Sequence, residues 1–147
     1  MKDLFHNVLG GKLLAPINIT TSQVSVGADI KGFESLTLDT HIGVTGDTLS
    51  GSIFLELILE ESDTLGSGYT AVTNNDHVLL PKGETVDSNG RFSLIDDNAE
   101  DDILKSIGYV GKKRFARINI ALTGTHTNGI PVAVASQLGD PHRAAVQ

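Results

Sequence analysis

The chain lacks cysteine and tryptophan, and it has only one methionine and four prolines among its 147 residues. Without cysteine it can form neither disulfide bonds nor thiolate metal sites. Its aromatic content is 5%, and so few rings make a poor stacking platform for sugars or bases. A single domain of this length buries roughly 68–70% of its unfolded surface, so it needs no covalent cross-link to fold.

Long apolar runs are missing as well. No segment approaches the ~20 apolar residues that a membrane span needs. The N-terminal segment MKDLFHNVLGGKLLAP is interrupted by Asp3, His6, Asn7 and Lys12, so it lacks the apolar stretch of a signal peptide. The net charge of −7 argues against general nucleic-acid binding, for which basic domains are typical. We therefore expect no membrane partner, no direct nucleic-acid partner and no export by a signal sequence.

The residues that are present favour strands. Sixteen glycines and many threonine, valine and isoleucine residues suit strands and turns. Apolar and polar residues alternate with period two, as in half-buried strands, at 36–44, 53–60, 115–123 and 130–136. Weaker strands are predicted at 17–20, 24–30, 69–73, 91–95 and 103–110, and a short helix or irregular segment at 74–80. This pattern predicts one all-β domain, a jelly-roll-like β-sandwich over 17–147, preceded by a short N-terminal arm over 1–16.

Two of the strong strands are predicted to form a hairpin. Residues 115–123 alternate in polarity, and 130–136 resume the alternation after a six-residue connection. That connection ends in Asn128-Gly129, a strong turn signal. The sequence therefore predicts that the two strands pair directly.

Catalytic and cofactor motifs are not recognisable. The chain has no G-x-S-x-G, H-E-x-x-H or Walker-type glycine loop. Its five histidines, at 6, 41, 77, 126 and 142, are not spaced as a ligand pair on one strand face or helix turn. We therefore predict no catalytic, cofactor-binding or metal-binding residues, and a protein that is not an enzyme.

An acidic run, DDNAEDD at 96–102, is the best candidate for a cation ligand. Calcium takes 6–8 oxygen ligands, which such a loop offers. The run lacks the EF-hand order and has no glycine for a sharp turn. A solvated acidic loop is the favoured interpretation, and calcium binding is an open alternative.

Positive charge is concentrated around the start of one strand. Lys112, Lys113, Arg114 and Arg117, with Lys105, make five of the eleven basic residues within thirteen positions. One interpretation is a solvated face that balances local acids such as the run 96–102. The other is an interface for an acidic partner or a second subunit, because arginine beside an aromatic residue is common interface material.

The last third of the chain, from Tyr109 to Val146, resembles a family of small proteins that tailed bacteriophages and prophages encode among their virion structural genes. The resemblance rests on G-Y-V-G-x-K-R-F-x-R at 108–117. An alternating strand, a glycine-containing turn and a small-residue strand follow, and D-P-H-R-A-A-V at 140–146 closes the pattern. Further upstream, GFES at 32–35 and SDTLGSGYTAV at 62–72 are similar to the family in outline.

The resemblance implies a virion protein of the head, made in the host cytoplasm. The role it implies is a capsid decoration (cement) protein, which binds the outer capsid surface and stabilises contacts between major capsid subunits. Such proteins are commonly β-rich and often trimeric, so the implied partners are the major capsid protein and further copies in a homotrimer. A head–tail connector or tail protein, and a calcium-dependent or glycan-binding β-sandwich module on the virion, are the alternatives.

The surface that would contact the capsid or another subunit is predicted from the apolar arm, the basic strand start and the tail. Its candidate residues are Leu4, Phe5, Leu9, Lys112, Lys113, Arg114, Phe115, Arg117, His142 and Arg143.

Overall fold

A computed structural model describes residues 4–142 of the chain. Within that range the chain forms eleven β-strands and one 3-10 turn, at Asn75–His77. The strands are β1 (Val8–Ile19), β2 (Gln23–Val24), β3 (Ala28–Asp29), β4 (Phe33–Ile42), β5 (Phe54–Ser62), β6 (Thr70–Ala71), β7 (Val78–Leu79), β8 (Arg91–Ile95), β9 (Ile103–Tyr109), β10 (Phe115–Thr123) and β11 (Ile130–Pro141).

The strands form two antiparallel sheets. The five-stranded sheet has the order β1-β11-β4-β9-β7, and the six-stranded sheet has the order β2-β10-β5-β6, with β3 also paired to β10 and β8 to β5. Buried residues of both sheets belong to one hydrophobic cluster. The predicted all-β sandwich is confirmed.

The core follows directly from the alternation seen in the sequence. Leu55, Leu57 and Leu59 of β5 are completely buried, because every second residue of a strand points to the same face. Ile107 of β9 and Ile118 of β10 are also fully buried and bring the inner faces of the two sheets together. Burying each such side chain contributes about 1.5–3 kcal/mol.

The N-terminal segment is different from the prediction. Residues 8–16, assigned to an arm by their lack of a clear period, are the first part of strand β1, which pairs with β11 along its length. The period is obscured because the register shifts twice, between Lys12 and Leu14 and between Leu14 and Ile17. Such bulges break the alternation of inward and outward side chains.

The predicted hairpin between 115–123 and 130–136 is wrong. Strand β10 belongs to the six-stranded sheet and β11 to the five-stranded sheet. Both edges of β10 are occupied, by β5 on one side and by β2 and β3 on the other, so no edge remains for β11. The connection instead carries the chain from one sheet to the other.

The other strand predictions vary in their bounds. The strand predicted at 91–95 is confirmed as β8, and the strong segments at 36–44 and 53–60 correspond to β4 and β5. The weak segment 24–30 is divided into the two short strands β2 and β3. Segment 74–80 contains the 3-10 turn followed by β7.

We expect Leu57→Ala to lower the free energy of unfolding by about 2–5 kcal/mol, because it removes buried atoms and leaves a cavity between the sheets. The matched control is Leu104→Ala, since Leu104 is 53% exposed and its truncation should change the free energy by about 0.5 kcal/mol or less. Urea titrations followed by circular dichroism measure both changes. Equal losses in the two variants would contradict this description of the core.

Candidate interaction surfaces

The basic residues at the start of β10 are paired with acids of neighbouring strands and loops. Arg114 donates two hydrogen bonds to Asp29 of β3, from Nε at 2.9 Å and from a terminal nitrogen at 2.7 Å. This contact holds the pKa of the Asp29 carboxyl below its usual value. Lys113 pairs with Asp63 just after β5, and the hydrogen bond between them raises the pKa of Lys113.

Arg117 is held in a denser network. Its Nε donates to Glu60 at 2.7 Å, directly across from it on β5. Its guanidinium lies 3.9 Å from the centre of the Tyr69 ring, within the range of a cation–π interaction. The second Glu60 oxygen accepts a hydrogen bond of 2.9 Å from Asn119. Opposite charges directly across two strands stabilise their pairing.

The other residues of the 108–117 pattern also have structural roles. The Tyr109 hydroxyl donates to Glu61 and accepts from the Lys113 N–H at 3.0 Å. Burial, and then the bond to Glu61, raise the pKa of Tyr109 well above its usual value. A side chain at Gly111 would lie only 2.4 Å from the Tyr109 ring. The pattern therefore has a structural role in the connection between β9 and β10.

The basic cluster forms ion pairs within the chain, as the first of the two interpretations expects. Lys113, Arg114 and Arg117 balance acids, but the acids are Asp29, Glu60 and Asp63 rather than the run 96–102. Of the basic residues predicted for the interface, Lys112 is exposed and has no ion pair within residues 4–142. Lys113 and Arg114 are also exposed although each is paired, so the interface interpretation stays a prediction.

The acidic run 96–102 supports a neighbouring loop. The Asn98 side-chain oxygen accepts the Leu49 N–H at 2.8 Å, and an Asp101 oxygen accepts the Thr45 N–H at 2.8 Å. Another carboxylate, Asp97, caps the N–H of Ala99. Among residues 4–142, no group of three or more histidine, aspartate and glutamate residues is arranged to hold a metal ion.

Asp47 stabilises the connection between β10 and β11 at 124–129, which joins the two sheets. Its carboxylate accepts the N–H groups of Thr127, Asn128 and Gly129 at 3.1, 3.0 and 2.8 Å. These hydrogen bonds, first that of Asn128, lower the pKa of Asp47. Gly129 has φ of +81°, and a Cβ there would lie 2.8 Å from the Ile19 carbonyl oxygen, so only glycine suits this turn.

His126 lies beside this carboxylate and is the one buried histidine within the described range. Its Nε2 is 3.1 Å from the Thr123 carbonyl oxygen, and its Nδ1 is 4.0 Å from the nearer Asp47 oxygen. Because a carbonyl oxygen only accepts, Nε2 carries a proton. The histidine therefore helps to fix the loop.

The outer face of the five-stranded sheet was not predicted as a site. Directly opposed residues share a face, and three central rows of them cross this one. They run Gly10-Gln137-Thr37-Gly108-Leu79, Lys12-Ala135-Asp39-Ser106 and Ala133-His41-Leu104. The single carboxylate in these rows, Asp39, is buried and accepts hydrogen bonds from Ser106 at 2.5 Å and Gln137 at 2.6 Å.

A groove of about 750 Å³ lies over β1 and β11 on this face. Its lining includes Gly10, Lys12, Leu14, Ile17, Ala133 and Ala135. The groove forms because glycine and alanine leave space between the longer side chains around it. The alternation PVAVA at 131–135 indicates small outward residues, but whether another element covers them is decided only by the packing.

The remaining candidate residues differ in their accessibility. Leu4 is 72% exposed and Phe5 is 66% exposed, in the turn that precedes β1. Leu9 is half-buried against the core, and Phe115 is buried beneath Arg114, so neither offers much surface to a partner. His142 is exposed and paired with Glu34. Arg143 lies outside the described residues.

No protein-family model and no curated protein matches this chain. Within residues 4–142, no helix is both long enough and apolar enough to cross a membrane.

We expect Tyr109→Phe to lower the free energy of unfolding by about 1–3 kcal/mol, because Glu61 and the Lys113 N–H lose their common partner. The control is Tyr69→Phe, which keeps the ring under Arg117 and removes no hydrogen bond to a carboxylate. Chemical denaturation at pH 7 compares the two variants. If Tyr69→Phe costs as much as Tyr109→Phe, the Glu61 contact is not the cause.

The stabilising effect of the Asp47 carboxylate depends on pH. Because the pKa of Asp47 is lower in the folded chain than in the unfolded chain, its charge stabilises the fold above the ordinary pKa of ~3.9. This contribution is lost as the pH falls through the folded value. Asp47→Asn should therefore lower the urea midpoint at pH 7, and its difference from the wild type should shrink below about pH 4. The control is Glu84→Gln, which removes an exposed carboxylate. A difference between Asp47→Asn and the wild type that does not change with pH would contradict a stabilising role of the Asp47 charge.

Proposed function

We propose that the protein is a structural protein of a tailed-phage virion, a capsid decoration protein that binds the outer surface of the head and stabilises contacts between major capsid subunits. The observation that carries this proposal is the apolar groove over β1 and β11, on an outer face of the five-stranded sheet that no other part of residues 4–142 covers. Large exposed apolar patches on soluble proteins mark interaction sites.

The distribution of charge supports an assembly role. The outer face of the six-stranded sheet carries ion pairs such as Arg117–Glu60 and Arg91–Glu56, which satisfy one another within the chain. The strands of the five-stranded sheet carry only three of the eighteen acidic residues, Glu34, Asp39 and Asp140. The charges on the outer face of the six-stranded sheet are thus paired within the chain, whereas the outer face of the five-stranded sheet is suited to a partner.

The resemblance to phage virion proteins supports the choice of assembly. Its best-defined pattern, at 108–117, consists of residues whose contacts hold β9, β10 and their neighbours together. The pattern therefore supports a fold shared with those proteins. The decoration role rests on the exposed surfaces instead. The proposed partners are the major capsid protein and other copies of the chain in a homotrimer on the capsid surface.

The experiment is co-sedimentation of the purified protein with emptied capsids of the parent phage. We expect saturable binding in a fixed ratio to the major capsid protein. Lys112→Glu tests the electrostatic part, since it reverses an exposed charge without breaking an ion pair. Reversal of Arg117 is unsuitable for this purpose, because it would place two carboxylates opposite each other on β5 and β10.

The co-sedimentation results distinguish between the possible roles of the protein. Saturable binding by the wild type supports decoration, and weaker binding by Lys112→Glu adds an acidic capsid surface at this position. Binding that is unchanged in Lys112→Glu excludes the electrostatic contribution. If the protein ignores capsids but sediments with isolated tails or connectors, the decoration proposal is wrong and a tail or connector role replaces it.

A further inference from the structure

We propose that the groove over β1 and β11 binds the N-terminal turn of a second copy of this chain, with Leu4 and Phe5 inserted into it. This inference rests on the proposed assembly function and deepens it by naming the contact between copies. The contact is head-to-tail, because it joins two different surfaces of the same chain.

The two surfaces match in polarity, and the groove has room for two side chains. The turn presents the two most exposed large hydrophobic side chains within residues 4–142, Leu4 at 72% and Phe5 at 66%. The groove, of about 750 Å³, has short outward residues, Gly10, Ala133 and Ala135, between longer ones. Built apolar sites for compact ligands have volumes of roughly 300–1,000 Å³. In the single chain the side chains of the turn remain exposed, so they do not fill their own groove.

The charges around the groove allow a second acidic chain to approach it. Each copy has a net charge of −7, which opposes association in general. Among residues 4–142 the groove has no exposed carboxylate, because Asp39 beside it is buried and bound by Ser106 and Gln137. Its ionisable lining residues are Lys12 and His41. Two copies can therefore meet here without juxtaposing negative charges.

The sheet face approaches the size of a standard interface. Its five strands, which range from two to twelve residues, give a face of roughly 700 Å² at ordinary strand spacings. A standard protein interface takes about 800 Å² from each partner. The inserted side chains cover only part of this area, so the surface around the neighbour's turn must contact the rest of the face.

In a head-to-tail contact the two surfaces differ, so each can be damaged separately. A ring closes when the rotation between neighbours allows it, as in a trimer. A variant with a damaged turn keeps its groove, and a variant with a damaged groove keeps its turn. Each variant alone cannot assemble, yet a mixture of the two can form one intact contact and no more.

The experiment uses light scattering and sedimentation equilibrium on the full chain. The variants are Phe5→Ser for the turn and Ala133→Lys for the groove. Ala133 is half-buried and lies opposite His41. The matched control is Ala121→Lys, at a half-buried alanine on the outer face of the other sheet, opposite Glu56. Circular dichroism and thermal melting establish that each variant is folded.

We expect the wild type and Ala121→Lys to be oligomers of the same mass. Phe5→Ser and Ala133→Lys should each weaken association at least roughly thirty-fold, as the loss of an interface hot spot does. An equimolar mixture of these two variants should give a species of two chains. If either variant should fail to fold, Leu4→Ser replaces Phe5→Ser and Ala135→Lys replaces Ala133→Lys.

Three results would overturn the inference: a monomeric wild type, variants that associate as the wild type does, or a mixture that stays monomeric. The last result would point to a contact between identical faces. Capsid co-sedimentation separates this inference from the proposed function. A monomer that binds capsids refutes the contact between copies alone, whereas an oligomer with the expected mixing behaviour that ignores capsids refutes decoration alone.

Discussion

Each strand of a two-layer sandwich can bury only one of its two faces in the shared core, and this constraint shapes the rest of the molecule. The inner faces are nearly uniform, with Leu55, Leu57 and Leu59 facing the opposite sheet. The outer faces must be satisfied in another way, because side chains that alternate along a strand cannot both point inward. The two sheets of this protein solve the problem differently.

The six-stranded sheet satisfies its outer face with opposite charges. Arg117 illustrates the solution, since Glu60 lies across from it and Tyr69 lies beneath its guanidinium. Asn119 and the neighbouring pair Arg114–Asp29 extend it along β10. A face whose charges are already paired gains little from an external partner, because binding would first have to desolvate those pairs. The positive charge at the start of β10 therefore mainly forms ion pairs that link β10 with β3 and β5.

The five-stranded sheet keeps its outer face short and nearly neutral. Gly10, Ala133 and Ala135 lower the surface over β1 and β11, and Asp39, the carboxylate in the middle of the sheet, is enclosed by Ser106 and Gln137. The rest of residues 4–142 does not bury the apolar area of this face. Burying it against another molecule releases the water around that area, which is the main driving force for association. The asymmetry between the two faces connects the fold with the proposed assembly role.

Local alternation of polar and apolar residues is enough to predict the fold class and most uninterrupted strands, such as 91–95 and 115–123. The sequence also revealed the concentration of positive charge before Arg117. Tertiary structure decided that β1 begins at Val8, because two bulges hide the alternation, and that β10 and β11 lie in different sheets, because both edges of β10 were already taken. It also decided which acids neutralise the basic cluster and which outer face the rest of residues 4–142 leaves uncovered. These are relations between residues far apart in the chain, and local periodicity holds no information about which distant strand will occupy an edge or cover a face.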